Sequence, residues 1–354
     1  MKNEWEGIGI MSGTSLDGID LTWCRFEKGD DGKWDYRIKK ATNVPYSETF
    51  KTRLANAPYF SALEYVKLNN EVAEVFAEAI NSWLGDGPRP DFIASHGHTV
   101  FHQPTIGLTT QIGNGAVIAA RTGIPTVCDF RTKDVALGGQ GAPLVPIGDE
   151  LLFGDFDACL NLGGISNISY RADGKRVAYD ISPCNMALNA LANRAGLPYD
   201  KDGQLAKEGV IIPELLEKLN NLTYYHQNPP KSLGKEWYDE VFSPVLTSFL
   251  SDYSLADLSK TVVEHIAVQI IANVPEAART MLITGGGAHH TFLIQQIQHQ
   301  RDTLEVIVPD NLIVDYKEAL IFAFLGLLRL ERENNCLRSV TGASEDNCGG
   351  CIYL

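Results

Sequence analysis

A pattern of strands and turns occurs twice in this chain of 354 residues. Near the N-terminus, the apolar runs GIGIM, IDLTWCRFE and WDYRIKKATNV alternate with the turns SGTSLDG and KGDDGK. Residues 157–182, DACLNLGGISNISYRADGKRVAYDIS, again read as strand, glycine-rich turn, strand, turn and strand. Alternating apolar residues between turn-forming residues are typical of antiparallel β-strands. Helical and strand-like segments follow each copy, so the sequence predicts two related α/β domains around a cleft.

The connection between the two copies gives a domain boundary. Residues 131–146, RTKDVALGGQGAPLVP, are rich in glycine and proline and read as a hinge or linker. We therefore predict an N-terminal domain over 1–131 and a C-terminal domain over 132–354. The last helix and the tail have an alternative placement, in which they pack back on the first domain.

Composition and charge exclude several classes of partner. The formal net charge of −14 argues against nucleic acid or an anionic membrane as the main ligand. The start, MKNEWEG, has no apolar core of a secretory signal, and the apolar run ALIFAFLGLL is too short to span a bilayer. Seven scattered cysteines fit free thiols in a reducing compartment. We expect a cytoplasmic protein, and we interpret CGGC near the C-terminus as a glycine turn rather than a redox or zinc site.

Three glycine-rich turns follow strand-like runs: MSGTSLDG (11–18), NLGGISN (161–167) and ITGGGAHH (283–290). Glycine lets backbone amides approach a ligand closely, and amides with hydroxyl groups suit phosphate oxygens. Taken singly, each turn is better explained as a tight hairpin or strand-to-helix turn. Two of them occupy equivalent places in the repeated halves, which favours phosphate binding. The sequence lacks the Walker pattern GxxxxGK[ST] and a GxGxxG after a first βα strand.

Several longer strings resemble one family of kinases. From residue 8 to about 350 they run in order: GIMSGTSLDGID, SHGHTVFHQP, DFRTKDVALGGQGAPLVP, LNLGGISNIS, YDKDGQLAKEG, PPKSLGKEWY, LITGGGAHH and SVTGASEDNCGG. The chain thus resembles the anhydro-N-acetylmuramic acid kinases of the actin, sugar-kinase and Hsp70 superfamily. The resemblance implies an α/β fold of two duplicated ribonuclease H-like (actin-like ATPase) domains around a central cleft.

The resemblance also implies an activity. ATP would phosphorylate the 6-oxygen of 1,6-anhydro-N-acetylmuramic acid while water opens the anhydro ring at C1. The products would be N-acetylmuramic acid 6-phosphate and ADP, in peptidoglycan recycling. The implied cofactors are ATP and Mg²⁺, the partner is a small-molecule sugar, and a homodimer is left open.

The resemblance assigns nucleotide contacts to the three glycine-rich turns. Asp17 is in addition the candidate Mg²⁺ ligand, with Asp20 as the alternative, because Mg²⁺ commonly keeps several waters and one or two carboxylates. The predicted nucleotide-binding residues are Gly13, Thr14, Ser15, Leu16, Asp17, Gly18, Ile19, Asp20, Gly163, Gly164, Gly285, Gly286 and Gly287.

Asp180, in YDISPCN, matches the catalytic aspartate of the family and would be the base that activates water. Its alternative role is the N-cap of the helix that follows. The predicted sugar-binding residues are His96, Arg131, Asp134 and Glu318.

Two of these sugar-binding residues have structural alternatives. Arg131 suits bidentate binding of the lactyl carboxylate, or alternatively an inter-domain salt bridge. Glu318 is alternatively a surface residue of an amphipathic helix.

The sequence departs from the family around the candidate base. The family pattern DTGPGN is replaced by DISPCN, so Ser182 and Cys184 stand where glycines are usual. If those positions have positive φ, the two side chains are strained. This difference keeps two other functions open. One is a kinase for a different sugar, simple or anhydro, and the other is a catalytically weak, nucleotide-binding sugar sensor.

Overall fold

The computed structural model describes residues 3–13 and 16–354. Helices and strands divide into two compact units. The first unit comprises Met1–Phe153 and Tyr316–Leu354, and the second comprises Gly154–Asp315. Each unit is built around one β-sheet with helices packed on it.

The strands are short in the second unit and longer at the N-terminus. They are β1 (Glu4–Ser12), β2 (Gly18–Lys28), β3 (Trp34–Pro45), β4 (Phe92–Gln103), β5 (Leu108–Ile112), β6 (Thr126–Cys128), β7 (Ala158–Leu162), β8 (Ile165–Ala172), β9 (Lys175–Pro183), β10 (Thr280–Thr284), β11 (Glu305–Ile307) and β12 (Cys351–Tyr353).

The longest helices are the ones that cover the sheets. The α-helices are α1 (Glu48–Asn56), α2 (Ala62–Leu84), α3 (Gly115–Thr122), α4 (Thr132–Ala136), α5 (Pro146–Leu151), α6 (Asn185–Arg194), α7 (Gln204–Glu208), α8 (Pro213–Asn220), α9 (Lys235–Trp237), α10 (Ser243–Thr247), α11 (Leu255–Asn273), α12 (Thr291–Gln300), α13 (Asn311–Leu330) and α14 (Arg338–Thr341).

The sheet of the first unit has the order β12-β6-β4-β1-β2-β3, and β5 pairs with β4 outside this path. Strands β1, β2 and β3 form the antiparallel meander, and β4 adds to β1 in parallel. Helix α2 begins at a capping box in which Ser61 and Glu64 satisfy each other's backbone amides. The apolar face of α2 then packs on the sheet, with Phe76 and Ile8 both fully buried in one cluster.

The sheet of the second unit has the order β11-β10-β7-β8-β9. Strands β7, β8 and β9 form an antiparallel meander, and β10 pairs with β7 in parallel. Helix α11 packs its buried face against this sheet, and Ile266 and Ile283 belong to one fully buried cluster.

The two sheets repeat one strand order. In each unit the third, second and first strands of the meander are followed by two further parallel strands, as β9-β8-β7-β10-β11 and as β3-β2-β1-β4-β6. The predicted α/β fold with duplicated ribonuclease H-like units is therefore confirmed by topology. The glycine-rich turns after β1 and after β7 occupy the same place in the two meanders.

The contacts divide the chain elsewhere than at our predicted boundary of 131/132. The predicted linker, 131–146, lies in the first unit, where the backbone N–H of Gln140 donates to the carbonyl of Thr341 at 2.8 Å. The C-terminal segment lies there too, because β12 pairs antiparallel with β6. Glycines and prolines in 131–146 thus shape a packed connection rather than a free hinge.

The apolar run at 319–328 lies inside α13 and is buried in the first unit, with Leu320 and Phe324 fully covered. Its hydrophobicity is explained by packing against the sheet: an ideal Cβ on Gly9 of β1 would lie 1.9 Å from the carbonyl oxygen of Ala319. Within residues 3–13 and 16–354, no helix combines the length and the apolar content that crossing a membrane requires.

Candidate functional site

Asp180 lies near the end of β9, at an irregularity in the sheet. Asn167 of β8 pairs with Asp180, whereas the next residue of the same strand, Ser166, pairs with Ser182, so one extra residue is inserted in β9. Such bulges redirect side chains and are common beside active sites. The N-cap of α6 is Cys184, which makes no side-chain cap. The alternative role of Asp180 as an N-cap is therefore wrong.

The carboxylate of Asp180 is held by one loop. Its Oδ2 accepts the backbone N–H of Leu233 at 2.9 Å, and its main-chain carbonyl accepts the hydroxyl of Tyr224 at 2.7 Å. Burial raises the pKa of the Asp180 carboxyl, and the hydrogen bond from Leu233 opposes that rise. A raised pKa makes the ionised carboxylate a stronger base, as proton abstraction from water requires.

The loop that holds Asp180 carries two lysines, Lys231 and Lys235. Lys231 lies over the ring of Tyr224, with Nζ 4.8 Å from the ring centroid, and burial lowers its pKa. Lys235 is exposed and pairs with Asp239 one helical turn on. The positioning contacts of Asp180 come from a backbone amide and from Tyr224. No motif in the sequence indicated them.

Gly163 and Gly164 form the hairpin turn between β7 and β8. The carbonyl of Gly164 accepts the N–H of Cys184 at 2.8 Å and that of Met186 at 3.1 Å. Neither glycine has a positive φ. An ideal Cβ on Gly164 would meet nothing closer than the Met186 Cε, at 3.8 Å. The fold therefore does not require glycine at 164, and close approach of a ligand is a physical reason for it.

The third glycine turn packs beside the second one, because β10 and β7 are parallel neighbours and Thr284 pairs with Asn161. Gly285 has φ +83, and an ideal Cβ there would lie 2.4 Å from Asn161 Oδ1. Packing also requires Gly287, whereas an ideal Cβ on Gly286 has its nearest neighbour at 3.7 Å. The predicted glycines of the second unit thus meet at one sheet edge, and Asp180 lies at the same end of β9.

The first glycine turn connects β1 and β2. Thr14 and Ser15 lie outside the described residues. Leu16 has φ +61, and its N–H donates to the carbonyl of Gly13 at 3.3 Å. Asp17 is exposed at this turn, next to Gly18.

Two predicted nucleotide contacts after this turn, Ile19 and Asp20, have side chains that contact the protein. The side chain of Ile19 is fully buried in the core, so only its backbone can meet a ligand. The carboxylate of Asp20 accepts a hydrogen bond from the Asn43 side chain at 2.8 Å. Of the two candidate carboxylates, Asp17 is therefore more accessible to a metal ion than Asp20. Among residues 3–13 and 16–354, no three His, Cys, Asp or Glu side chains are grouped as metal ligands.

A buried polar cluster supports the end of β1, just before the first glycine turn. The hydroxyl of Ser12 lies 2.7 Å from that of Tyr46 and 3.2 Å from Nδ1 of His98. Burial lowers the pKa of His98 to about 4, so this imidazole is neutral at pH 7. His98 is therefore a buried polar contact between β1 and β4.

Arg131 and His96 are held together in the first unit. Nε and an Nη of Arg131 lie 3.1 Å and 2.9 Å from His96 Nε2, and the other Nη donates to the carbonyl of Gly141 at 2.6 Å. Burial and the charge of Arg131 keep the pKa of His96 well below its usual value. The neutral imidazole therefore accepts from Arg131 through Nε2, and Nδ1–H donates to the Gly97 carbonyl at 2.9 Å. Both partners of Arg131 belong to the first unit, which argues against an inter-domain salt bridge.

Glu318 lies on α13 and keeps solvent access, although surrounding protein raises its pKa by displacing water. The positive charge of Arg131 opposes this rise, and the charge of Asp20 adds to it. Glu318, Arg131 and His96 therefore form one polar cluster in the first unit, and their role in sugar binding stays a prediction.

Asp134 is a correction to the predicted sugar site. It is fully buried, and its Oδ2 accepts the N–H of Gly141 at 2.8 Å. Its Oδ1 accepts from the side chains of Thr341 at 2.8 Å and Asn347 at 2.9 Å, and the Cys336 Sγ lies 3.0 Å away. The carboxylate is saturated by protein donors and ties the C-terminal segment to the loop after α4.

The departures from the family motif cause no positive-φ strain in the described chain. Ser182 lies inside β9 and is fully buried, with its hydroxyl 3.2 Å from that of Ser166. Cys184 has φ −123 and is buried as well. The condition for strain, a positive φ at these two positions, is therefore not met.

Comparison with known proteins gives one family. The family model described as anhydro-N-acetylmuramic acid kinase matches residues 6–354. A protein of that name from Hydrogenovibrio crunogenus is 34% identical, over 98% of this chain and 97% of the relative. One from Vibrio cholerae is 36% identical, with the same coverage, and one from Sulfurovum is 33% identical over 99% of this chain and 100% of the relative.

Proposed function

The chain belongs to the anhydro-N-acetylmuramic acid kinase family, and we propose that it phosphorylates 1,6-anhydro-N-acetylmuramic acid at the 6-oxygen with ATP while water opens the ring at C1. Family membership makes it a phosphotransferase whose acceptor is an alcohol group. The proposed products are N-acetylmuramic acid 6-phosphate and ADP, in peptidoglycan recycling. The proposed location is the cytoplasm, where ATP is available.

The proposal rests on the position of Asp180 in the second unit. A half-buried carboxylate with a raised pKa lies at the same end of the sheet as the two glycine turns. Ring opening needs a base, and phosphoryl transfer needs positioning and charge neutralisation. The second unit offers a candidate for the base in Asp180 and candidates for phosphate contacts in the open backbone at Gly164 and Gly286.

The proposed reaction balances protons and electron pairs. The carboxylate of Asp180 takes a proton from water, and the water oxygen bonds to C1. The bond between C1 and O6 breaks with its electron pair moving to O6. That oxygen attacks the γ-phosphorus of ATP, and the bond to the β-phosphate oxygen breaks to release ADP.

Mg²⁺ would neutralise charge on the phosphates during transfer. The exposed carboxylate at the first glycine turn fits such an ion, because Mg²⁺ commonly binds one or two carboxylates and keeps several waters. Asp17 is the proposed ligand. Gly13 and the neighbouring backbone of that turn are the proposed phosphate contacts of the first unit.

The first unit offers candidates for recognition of the sugar. Arg131 is held by an acceptor nitrogen of His96 and by the Gly141 carbonyl, so its guanidinium has a fixed orientation. A fixed guanidinium favours bidentate binding of a carboxylate such as the lactyl group of the muramic sugar. Glu318 is the proposed acceptor for a sugar hydroxyl.

The test is a product assay on the purified chain with ATP, Mg²⁺ and the anhydro-sugar. The proposal expects N-acetylmuramic acid 6-phosphate and ADP in equal amounts. Phosphorylation of other sugars but not of this one would favour the alternative of a kinase for a different substrate. Nucleotide binding without any product would contradict the kinase proposal and favour a sensor.

A further inference from the structure

Two cysteines oppose each other at the edge of the first unit's sheet. Cys128 ends β6, Cys351 begins β12, and the antiparallel register pairs them directly. Directly opposed residues in antiparallel strands have Cα atoms roughly 4.5–5.5 Å apart and side chains on the same face. Disulfides need Cα separations of roughly 4.4–6.8 Å, so this register satisfies the backbone requirement without movement of either strand.

Both thiols have space around the sulfur atom, and a small oxidant can reach each of them. Cys128 lines a cavity of about 260 Å³ in the first unit, which is also lined by His96, Gln111, Asn114 and Tyr353. Gly115 leaves space beside the Cys128 sulfur, since an ideal Cβ there would lie 2.6 Å from it. Cys351 is exposed. A small oxidant can therefore reach one thiol from solvent and the other from the cavity.

Burial and exposure decide which of the two thiols reacts first. Burial, with smaller contributions from Cys351 and Asp129 and against a hydrogen bond with the Gly115 backbone, raises the pKa of Cys128 to about 12. Its thiol therefore stays protonated near neutral pH. The exposed Cys351 is the better first nucleophile, because peroxide reaches its sulfur directly from solvent.

The other cysteines lack this arrangement. Cys24, Cys159, Cys184 and Cys336 are buried. Cys348 lies three residues before Cys351 but outside β12, and its carbonyl accepts a hydrogen bond from Lys133 at 3.1 Å. Cys348 is the alternative disulfide partner of Cys351, so Cys348→Ser is the control variant.

We propose that Cys128 and Cys351 are an oxidation site, which closes to a disulfide when the chain meets hydrogen peroxide. The Cys351 thiolate attacks one peroxide oxygen, the O–O bond breaks, and the leaving oxygen is released as water after taking up a proton. The resulting sulfenic acid then condenses with the Cys128 thiol, whose proton leaves with the hydroxyl group as a second water. Two thiols are oxidised, and one peroxide is reduced.

The disulfide would fasten the C-terminal strand to the sheet. Strand β12 is three residues long, lies at the sheet edge and carries Tyr353, which lines the cavity. A cross-link between residues far apart in sequence stabilises a fold mainly by restricting the unfolded chain. Oxidation should therefore raise the melting temperature and protect the C-terminus from carboxypeptidase.

The test treats the full chain with hydrogen peroxide and maps its peptides by mass spectrometry without reduction. We expect a peptide pair linked through Cys128 and Cys351 that dithiothreitol separates, in the wild type and in Cys348→Ser alike. The link and the rise in melting temperature should both be lost in Cys351→Ser, an exposed position where folding is not at risk. A bridge between Cys348 and Cys351, or oxidation of Cys351 without a link to Cys128, would overturn the proposal.

Discussion

The two units share a strand order, but they differ in the polar groups that lie at the strand ends and in the loops. At the ends of β7, β9 and β10, the second unit has glycine turns and one half-buried carboxylate, Asp180. The first unit has a charged cluster, in which Arg131 lies against a neutral His96 and interacts with Glu318. One strand order thus carries two different arrangements of polar groups, because loops and strand ends vary while the strand order stays constant.

The comparison predicts that removing the candidate base costs more than any change in the first unit. In Asp180→Asn, kcat should fall by about 10²–10⁴-fold, as is typical when a general base is lost. Nucleotide affinity should change little, because the glycine turns remain. Steady-state kinetics and nucleotide titration measure the two effects, and Asp173→Asn, at the exposed turn that precedes the same strand, is the matched control.

The pH profile of the wild type sharpens this prediction. Because burial raises the Asp180 pKa, kcat should rise with pH through a value above that of an ordinary aspartate. Activity in Asp180→Asn within threefold of the wild type would show that this carboxylate is not the base.

We expect Asp134 to contribute to the free energy of unfolding and not to sugar binding. In Asp134→Ala, the donors from Gly141, Thr341 and Asn347 lose their shared acceptor. We expect a loss of about 2–4 kcal/mol in the free energy of unfolding, because several buried donors are left unpaired. Denaturant titration measures it, with Glu345→Gln as an exposed control. A raised KM for the sugar with unchanged stability would restore the original prediction for Asp134.

Arg131 should act on sugar binding. In Arg131→Met we expect KM for the anhydro-sugar to rise by about 10–150-fold, the equivalent of losing one charged hydrogen-bonded contact. A substrate analogue without the lactyl carboxylate should show no such difference between variant and wild type. Lys133→Met, an exposed cation nearby, is the control. An equal loss with the analogue would mean that Arg131 acts through the fold.

The glycine turns of the second unit allow a smaller and more discriminating test. In Gly164→Ala, nucleotide affinity should fall by about tenfold with an unchanged melting temperature, because no protein atom contests the added methyl group. In Gly285→Ala, the melting temperature itself should fall, since φ is +83 and Asn161 Oδ1 is in the way. Equal nucleotide affinity in Gly164→Ala and the wild type would mean that this turn is not a phosphate contact.

The repeated strand order could be predicted because alternating apolar residues and turn residues report directly on antiparallel pairing. The location of 131–146 could not, because its glycines and prolines read as flexible until Asp134 and Gln140 are seen to bond to residues more than 200 positions away. For the same reason Asp134 was misassigned. A buried carboxylate saturated by distant donors leaves no local pattern, whereas Asp180 is predicted from its match to a motif.

The positioning of Asp180 could not be predicted in detail either. The backbone N–H of Leu233 is 53 residues away, and a main-chain donor has no signature in the side-chain sequence. The bulge that redirects Asp180 depends on the register of β8 against β9, which periodicity alone does not fix.

In the proposed mechanism, Asp180 directs water to C1 in the same reaction that phosphorylates O6. The most direct test is a single turnover of the wild type with ATP, Mg²⁺ and the anhydro-sugar in ¹⁸O-water, with anomeric exchange measured in parallel on the free product. We expect one heavy oxygen at C1 for each phosphate transferred by the wild type, and neither ring opening nor phosphorylation in Asp180→Asn. Phosphorylated product without ¹⁸O at C1 beyond exchange, or ring opening that survives in Asp180→Asn, would contradict this mechanism.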